Sequence, residues 1–139
     1  MASSPKSQTK RRVSAQVSAQ VSAAPHFAGC MQAVHAFMVE QDAASAPARL
    51  TQLKRDLRDM KTLLAWSPAS GRPARFLRPN SAQASLRLAA VQQLAQSVGL
   101  PNLREYVIGS HVVLYAHSDT EVVLLSLKHH RQLTFITLQ

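Results

Sequence analysis

Residues 103–127, LREYVIGSHVVLYAHSDTEVVLLSL, decide the fold of this chain. β-branched and aromatic residues are concentrated in three short runs of this stretch, which predicts three β-strands. The predicted strands are Leu103–Ile108, His111–His117 and Glu121–Leu127. The separators, Gly109–Ser110 and Ser118–Thr120, have the length of hairpin turns. This end of the chain is therefore predicted to form an antiparallel three-stranded meander.

The region before the meander has the periodicity of helices. Pro25 suits the first turn of a helix, and apolar residues then recur at helical spacing until the helix is expected to end near Asp42. A second helix, predicted from around Ser45 to Ser67, carries an unbroken apolar stripe opposite a charged face. The short connection between the two predicts an antiparallel helical hairpin.

The remaining segments complete an α+β prediction. Residues 1–12 are polar and basic and are expected to be a disordered tail, which leaves 13–139 as a single domain. The repeat VSAQVSAQVSAA (13–24) alternates strictly and predicts a half-buried strand that joins the sheet of the meander, unless it is low-complexity sequence. A third helix is predicted over 81–97. Because the helices and the antiparallel sheet are segregated along the chain, the fold class is α+β, with one sheet and the helical hairpin on one face.

Composition bounds the classes of function. Sixteen Lys and Arg residues against seven Asp and Glu residues give a net charge of +9, which favours encounter with a polyanion or an acidic protein. Cys30 is the only cysteine, so an internal disulfide is impossible and a cytoplasmic location is expected. We expect no membrane insertion or secretion, because the apolar stretches are short and the N-terminus lacks the apolar region of a signal peptide. A basic, acid-poor start also resembles an organelle transit peptide, which stays a minor alternative.

The order of elements, together with three motifs, resembles the RelE/ParE superfamily of bacterial type II toxins. The motifs are VSAAPHFAGCMQAVHAFM (21–38), WSPASGRPARF (66–76) and LREYVIGSHVVLYAHSDTEVVLLSLKHHRQLTF (103–135). The second is similar to the Gly-Arg-Pro turn of ParE-type members. The resemblance implies a small toxin that is neutralised by an acidic antitoxin protein. The 81–97 segment departs from the family, because it is longer than the usual connection at that point.

The resemblance leaves two activities open. RelE-like members cleave ribosome-bound mRNA without a metal, which requires an acid–base group and cations around the phosphate. The candidate catalytic residues for that reaction are His129, His130, Arg131 and Arg104. The catalytic tyrosine of the family would fall at Phe135, which has no hydroxyl group and weakens the nuclease interpretation.

We favour the second activity, in which ParE-like members inhibit DNA gyrase by binding it. The candidate residues for binding the target or the antitoxin are Arg72, Arg75, Arg104, Tyr106 and Lys128. The antitoxin is expected to contact the exposed face of the second helix and the sheet near Tyr106 and Arg104. A non-toxic nucleic-acid-binding module is a third hypothesis, although the chain lacks the aromatic pairs with which RNA-binding sheets stack bases.

Other polar residues of the meander have structural interpretations. Tyr115 is predicted to belong to the core. For Arg72, in the Gly-Arg-Pro turn, the structural alternative to a binding role is that it holds its turn by binding carbonyl groups. A metal site built from the strand histidines (His111, His117, His129 and His130) is disfavoured, because no cysteine lies nearby. The sequence contains no glycine-rich phosphate loop, and we expect neither a metal nor another cofactor.

Overall fold

A computed structural model of the chain describes residues 18–74, 89, 92–93 and 95–129. The helices are α1 (Pro25–Gln41) and α2 (Ala46–Trp66), and a short 3-10 turn (Pro68–Ser70) follows α2. The strands are β1 (Gln20–Ala23), β2 (Arg72–Pro73), β3 (Asn102–Ile108), β4 (His111–His117) and β5 (Glu121–His129). The predicted α+β class and the predicted helical hairpin are confirmed.

The strands form one sheet in the order β1-β5-β4-β3-β2. β3, β4 and β5 are the predicted antiparallel meander, and β1 joins it by pairing in parallel with β5, where Gln20 lies opposite Glu121. The sheet has one strand more than expected, because Arg72–Pro73 pairs with Arg104–Glu105 of β3. A two-residue strand is too short to show a period in the sequence, which explains why it was missed.

The helical hairpin covers one face of the sheet. Its buried apolar residues are Phe27, Cys30, Val34 and Met38 of α1 and Ala46, Leu53, Leu57, Met60 and Leu64 of α2. They pack on sheet residues that include Val113, Tyr115, Val122, Leu124 and Leu127. Cys30 is fully buried within this cluster, as a small hydrophobic residue would be. The apolar stripes of the two helices therefore form the core that their periodicity predicted.

The opposite face of the sheet carries a second apolar cluster. Its members include Ala74, Ala95, Leu100, Leu114, Ala116, Val123 and Leu125. Coverage on both faces explains why β4 and β5 are almost continuously apolar rather than alternating. Ala95 belongs to the predicted third helix, of which residues 89, 92–93 and 95–97 are described and helical. Its beginning, residues 81–88, lies outside the described residues.

Several other predictions also fall outside the described residues. They concern the tail 1–12, the first part of the VSAQ repeat (13–17) and residues Arg75, His130, Arg131 and Phe135. In the part of the chain that is described, no helix has both the length and the apolar character needed to cross a membrane.

Candidate binding site at the Gly-Arg-Pro turn and along α2

The turn that follows α2 is bound to the sheet by a buried tyrosine. The Gly71 N–H donates a hydrogen bond to the Tyr115 hydroxyl (2.9 Å), and that hydroxyl donates to the Pro68 carbonyl (2.7 Å). Burial raises the pKa of Tyr115, although the Gly71 N–H acts in the opposite direction. The phenol therefore stays protonated at neutral pH and keeps its donor for Pro68. Tyr115 is a core residue, as predicted, and it also holds the turn.

Gly71 allows this close approach because it has no side chain. A Cβ atom at this position would lie 2.6 Å from the Glu105 carbonyl oxygen and 2.7 Å from the Tyr115 hydroxyl. The carbonyl belongs to the backbone of β3, which is paired with β2 on one side and with β4 on the other. The glycine of the Gly-Arg-Pro motif is therefore required by packing against the sheet.

Two arginines complete the attachment of the turn. Arg104 donates from Nη1 to the Gly71 carbonyl (2.8 Å) and from Nε to Nε2 of His117 (3.1 Å). Arg72 donates from Nε to Oε1 of Glu105 at 2.7 Å, and the Glu105 side chain is buried. In these contacts Arg104 binds the carbonyl of the turn, the role offered as the structural alternative for Arg72, whereas Arg72 forms an ion pair.

Arg72 is the cation that the turn presents to solvent. Its side chain is 41% exposed, whereas the carboxylate that it binds is only 5% exposed. The ion pair fixes Nε and so restricts the guanidinium to one position above the sheet edge. The residue is therefore a preorganised cation on a fixed turn, which suits binding of an anionic group on a partner.

The two described candidates for a catalytic site lie apart. His129 is aligned with His111 of β4, and Arg104 is aligned with Tyr115. His111 and Tyr115 are four residues apart, which corresponds to about 13 Å along a strand. The two short hairpin turns set this register, so the separation was predictable from the sequence. The structure thus does not bring His129 and Arg104 together.

His129 is part of the core. Its ring lies 5.1 Å from the rings of Phe37 and His111, measured between centroids, and the residue is 3% exposed. His117 lies at the other end of β4 and contacts Arg104. Within the described residues, no three His, Cys, Asp or Glu side chains are grouped as metal ligands would be.

Tyr106 and Lys128 occupy separate places. Lys128 is half-buried in β5 opposite Val112, away from the turn. Tyr106 is half-buried and lines a surface groove between α2 and β3, which we call the acidic groove. The residues lining it are Asp56, Asp59, Met60, Leu63, Tyr106, Val107, Ile108 and Gly109. This is the surface where the antitoxin was expected, and its charge is negative.

A second groove lies between α1 and α2, on the other side of α2. It is lined by Phe27, Met31, Lys54, Leu57, Arg58 and Lys61, and we call it the cationic groove. Sequence reasoning missed this site, because the basic residues of α2 look like an ordinary solvated face. The signal was present, since Lys54, Arg58 and Lys61 are spaced to share the helix face that carries Leu57.

Comparisons with known proteins find similarity in structure but not in sequence. No model of a known protein family matches the sequence, and no curated protein matches it. Among solved structures, the chain is similar to one described as the chromosomal ParDE TA system from P. aeruginosa. The sequence identity is 11% and the TM-score is 0.49, and the alignment covers 82% of this chain and 98% of that chain.

Proposed function

We propose that this protein is the toxin of a type II toxin–antitoxin system, similar to the RelE/ParE superfamily, and that it stops growth by binding DNA gyrase. The proposal includes a cytoplasmic location and an acidic antitoxin that neutralises the toxin. The carrying observation is the Gly-Arg-Pro turn, which is bound to the sheet through Tyr115 and Arg104 and presents the partly exposed Arg72. A fixed cation of this kind suits an inhibitor that acts by binding.

The architecture is consistent with the motifs from which the resemblance started. The first motif forms β1 and α1, the second forms the attached turn, and the described part of the third forms the meander. Parallel pairing of β1 with β5 places the helical hairpin over one face of the meander. The three motifs thus form neighbouring parts of one sheet and its helical hairpin, which supports treating them as one combined signature.

The nuclease alternative receives less support from the geometry. Among the described candidates, His129 is enclosed by the core and Arg104 is engaged with Gly71 and His117 about 13 Å along the sheet. General acid–base catalysis requires the groups to reach one substrate atom within hydrogen-bonding distance. His129 and Arg104 do not meet that requirement in this arrangement.

A paired assay on the purified full chain tests the proposal. We expect inhibition of DNA supercoiling by gyrase, uncut mRNA on translating ribosomes, and growth arrest when the chain is expressed alone in bacteria. Replacing Arg72 by glutamine should weaken gyrase inhibition on the order of tenfold, the loss expected for one charged contact. Arg55→Gln on the exposed face of α2 is the matched control, and circular dichroism checks that both variants are folded under the assay conditions.

Other outcomes select the alternatives. Cleavage of mRNA at discrete codons, abolished by His130→Ala, would establish the nuclease instead. Normal growth during strong expression of folded protein would favour the non-toxic nucleic-acid-binding module. Phe135→Tyr should have no effect on gyrase inhibition, because a binding inhibitor has no need of the hydroxyl.

A further inference from the structure

The acidic groove between α2 and β3 has an uncovered apolar part. Leu63 and Val107 line it and are 42% and 45% exposed, and Trp66 at the end of α2 is 61% exposed. Met60 and Ile108 also line the groove and are buried. Large apolar residues that stay exposed next to one another indicate a surface that another segment covers.

The edge of the sheet along this groove is open in the described part of the chain. The neighbour of β3 on that side is β2, which reaches only Arg104 and Glu105. Ile108 and His111 flank a two-residue turn and form a hydrogen-bonded pair, so the N–H and C=O of Val107 point away from β4. The carbonyl of Glu105, two residues earlier, likewise faces the turn before β2. Backbone groups on an open edge are a template for one more strand.

The 130–139 segment begins close to this open edge. His129, at the end of β5, lies opposite His111, and His111 lies opposite Ile108, which lines the acidic groove. Two strand spacings separate His129 from Ile108, about 10 Å in all, which three extended residues can span. A smaller groove joins the two places, since its lining includes both His111 and Ile108. Leu133 and the residues after it are therefore within reach of the acidic groove.

The composition of the segment complements that of the groove. Arg131 comes first and is followed by LTFITL (133–138), in which β-branched and aromatic residues favour a strand. Asp56 lines the smaller groove as well as the acidic groove. Within the described residues, neither Asp56 nor Asp59 takes part in an ion pair. A cation followed by an apolar strand thus matches a carboxylate followed by apolar surface.

Other occupants fit this groove less well. A second copy of the chain would bring two more carboxylates, from its own Asp56 and Asp59, to the same interface, and like charges there cost free energy. The phosphates of a nucleic acid or a lipid surface meet the same repulsion. The 130–139 segment contains Arg131 and no Asp or Glu. Because it belongs to the same chain, it also binds at a high effective concentration.

We propose that residues 130–139 bind in the acidic groove of their own chain and add a strand to the open edge of β3. β3 runs towards the β3–β4 turn, past which the segment arrives, so the added strand is antiparallel to β3. Arg131 pairs with Asp56, and Phe135 packs on Leu63. The segment closes an edge on which a second chain could pair. This inference goes beyond the proposed function and does not depend on it.

Hydrogen exchange of the Val107 amide, measured by nuclear magnetic resonance on the full chain, tests the added strand. A hydrogen bond to the segment protects this amide. Phe135→Asp places a carboxylate against the apolar part of the groove and should raise the exchange rate on the order of tenfold. Thr62→Asp adds the same charge at an exposed position of α2 outside the groove and is the matched control. It should change the rate less than about twofold.

Charge reversal tests the contact between Arg131 and Asp56. Arg131→Asp should raise the exchange rate of the Val107 amide by about two- to fivefold, the range expected for one exposed ion pair. Asp56→Arg in the same chain should restore the protection, because the pair forms again with its charges exchanged. Arg55→Asp changes the net charge equally at an exposed position outside the groove and is the control. Circular dichroism checks that every variant is folded.

A spin label on the segment gives its location. Thr137→Cys provides the attachment point for a nitroxide, and the wild-type chain controls for reaction at Cys30, which is fully buried. Broadening by a nitroxide falls steeply with distance. The label should therefore broaden the methyl signals of Leu63 more than the methyl signal of Met31, which lines the cationic groove.

Several results would overturn the inference. They are equal exchange of the Val107 amide in the wild-type chain and in Phe135→Asp, equal effects of Arg131→Asp and Arg55→Asp, and stronger broadening of Met31 than of Leu63. Broadening of Leu63 in an isotope-labelled chain by a separate spin-labelled chain would also overturn it, because a second copy would then occupy the groove. None of these measurements involves gyrase or growth, so failure of the toxin assignment is seen separately.

Discussion

The two ends of β4 hold their buried polar residues in different ways. At one end, Tyr115 and His117 are hydrogen-bonded to groups of the Pro68–Arg72 turn and to Arg104. At the other end, the ring of His111 packs edge-on against His129. Phe37 of α1 lies against His129 on its helix side.

Tyr115 and His117 thus help to attach a loop to the sheet, whereas the rings of His111, His129 and Phe37 pack against one another. Hydrogen bonds from side chains to backbone groups make the turn part of the sheet, so a function assigned to the turn depends on Tyr115 and Arg104. At the His111 end, the rings pack together and the imidazole of His129 is buried from solvent. Tyrosine and histidine side chains at one end of β4 therefore bind a loop, whereas histidine rings at the other end pack against α1 and β5.

The largest effect is expected from adding one methyl group to the turn. Gly71→Ala places a Cβ atom against the Glu105 carbonyl and should destabilise the protein by about 3 kcal/mol, the upper part of the usual cost of overpacking. Gly29→Ala is the control, because no atom lies within 4 Å of its Cβ position on α1. That substitution should be neutral or stabilising by up to about 1 kcal/mol. Urea unfolding measures both, and equal midpoints for the two variants would contradict the packing of the turn.

At the opposite end, removal of a ring should leave a cavity. His129→Ala is expected to lower the free energy of unfolding by about 2 kcal/mol, since the side chain is buried against Phe37 and His111. His35→Ala on the exposed side of α1 should change it by less than about 0.5 kcal/mol. If thermal unfolding shows the same loss for both variants, His129 is not a core residue.

The hydroxyl of Tyr115 should matter more than its size suggests. Tyr115→Phe leaves the Gly71 N–H and the Pro68 carbonyl without this partner and should cost about 1.5 kcal/mol. Tyr106→Phe in the neighbouring strand should cost less than about 0.5 kcal/mol, because Tyr106 is half-buried at a groove. Unfolding in urea compares the two. A neutral Tyr115→Phe would mean that water replaces the phenol at no cost.

The ion pair of the turn should contribute less. Glu105→Gln keeps a hydrogen-bond acceptor for Arg72 and removes the charge, and it should cost less than about 1 kcal/mol because the Arg72 side chain is 41% exposed. The loss should shrink at high salt. Thermal melts at low and high salt test this, with the exposed Glu121→Gln as the control. If Glu105→Gln lowers the free energy of unfolding by several kcal/mol at both salt concentrations, the Arg72–Glu105 ion pair is not screened by solvent.

Ionisation of Tyr115 should affect stability least at neutral pH and should become measurable at high pH. Its pKa is raised in the folded protein, chiefly by burial, above the value of about 10 in the unfolded chain. The unfolded state therefore loses this proton first, and stability that is complete below about pH 10 falls as the pH rises towards the folded pKa. Denaturant unfolding between neutral pH and pH 11 should show this fall, and Tyr115→Phe should show less of it. If the free energy of unfolding falls with pH at the same slope in the wild-type protein and in Tyr115→Phe, the burial of the phenol is contradicted.

Local features of the sequence predicted most of the fold. Helix bounds and the three meander strands follow from periodicity, which each segment carries by itself. Strand β2 was missed because its pairing with Arg104–Glu105 depends on residues about thirty positions away. The apolar cluster on the second face of the sheet was not predicted for the same reason. Ala95 and Leu100 become buried only when the sheet is assembled.

The candidate site was less predictable than the fold. Arg72 and Arg104 were named only as candidate binding residues, whereas their partners, Glu105, Gly71 and His117, follow from geometry in three dimensions. His129 was selected by its chemistry, whereas the short hairpin turns already placed it opposite His111. The basic residues of α2 required the position of α1 before they could be recognised as the rim of a groove.

Parallel pairing between β1 and β5 has a consequence for how the protein is made. Gln20 leaves the ribosome about 100 residues before its partner Glu121, an interval of roughly 5–20 s at ordinary rates of synthesis. During that time α1 and α2 have no sheet on which to pack, and their apolar stripes are open to chaperones and proteases. The meander is translated after both helices, so their packing on the sheet is completed only once β5 has left the ribosome. A chain that stops before Glu121 lacks Val122, Leu124 and Leu127, the β5 residues on which its helices pack.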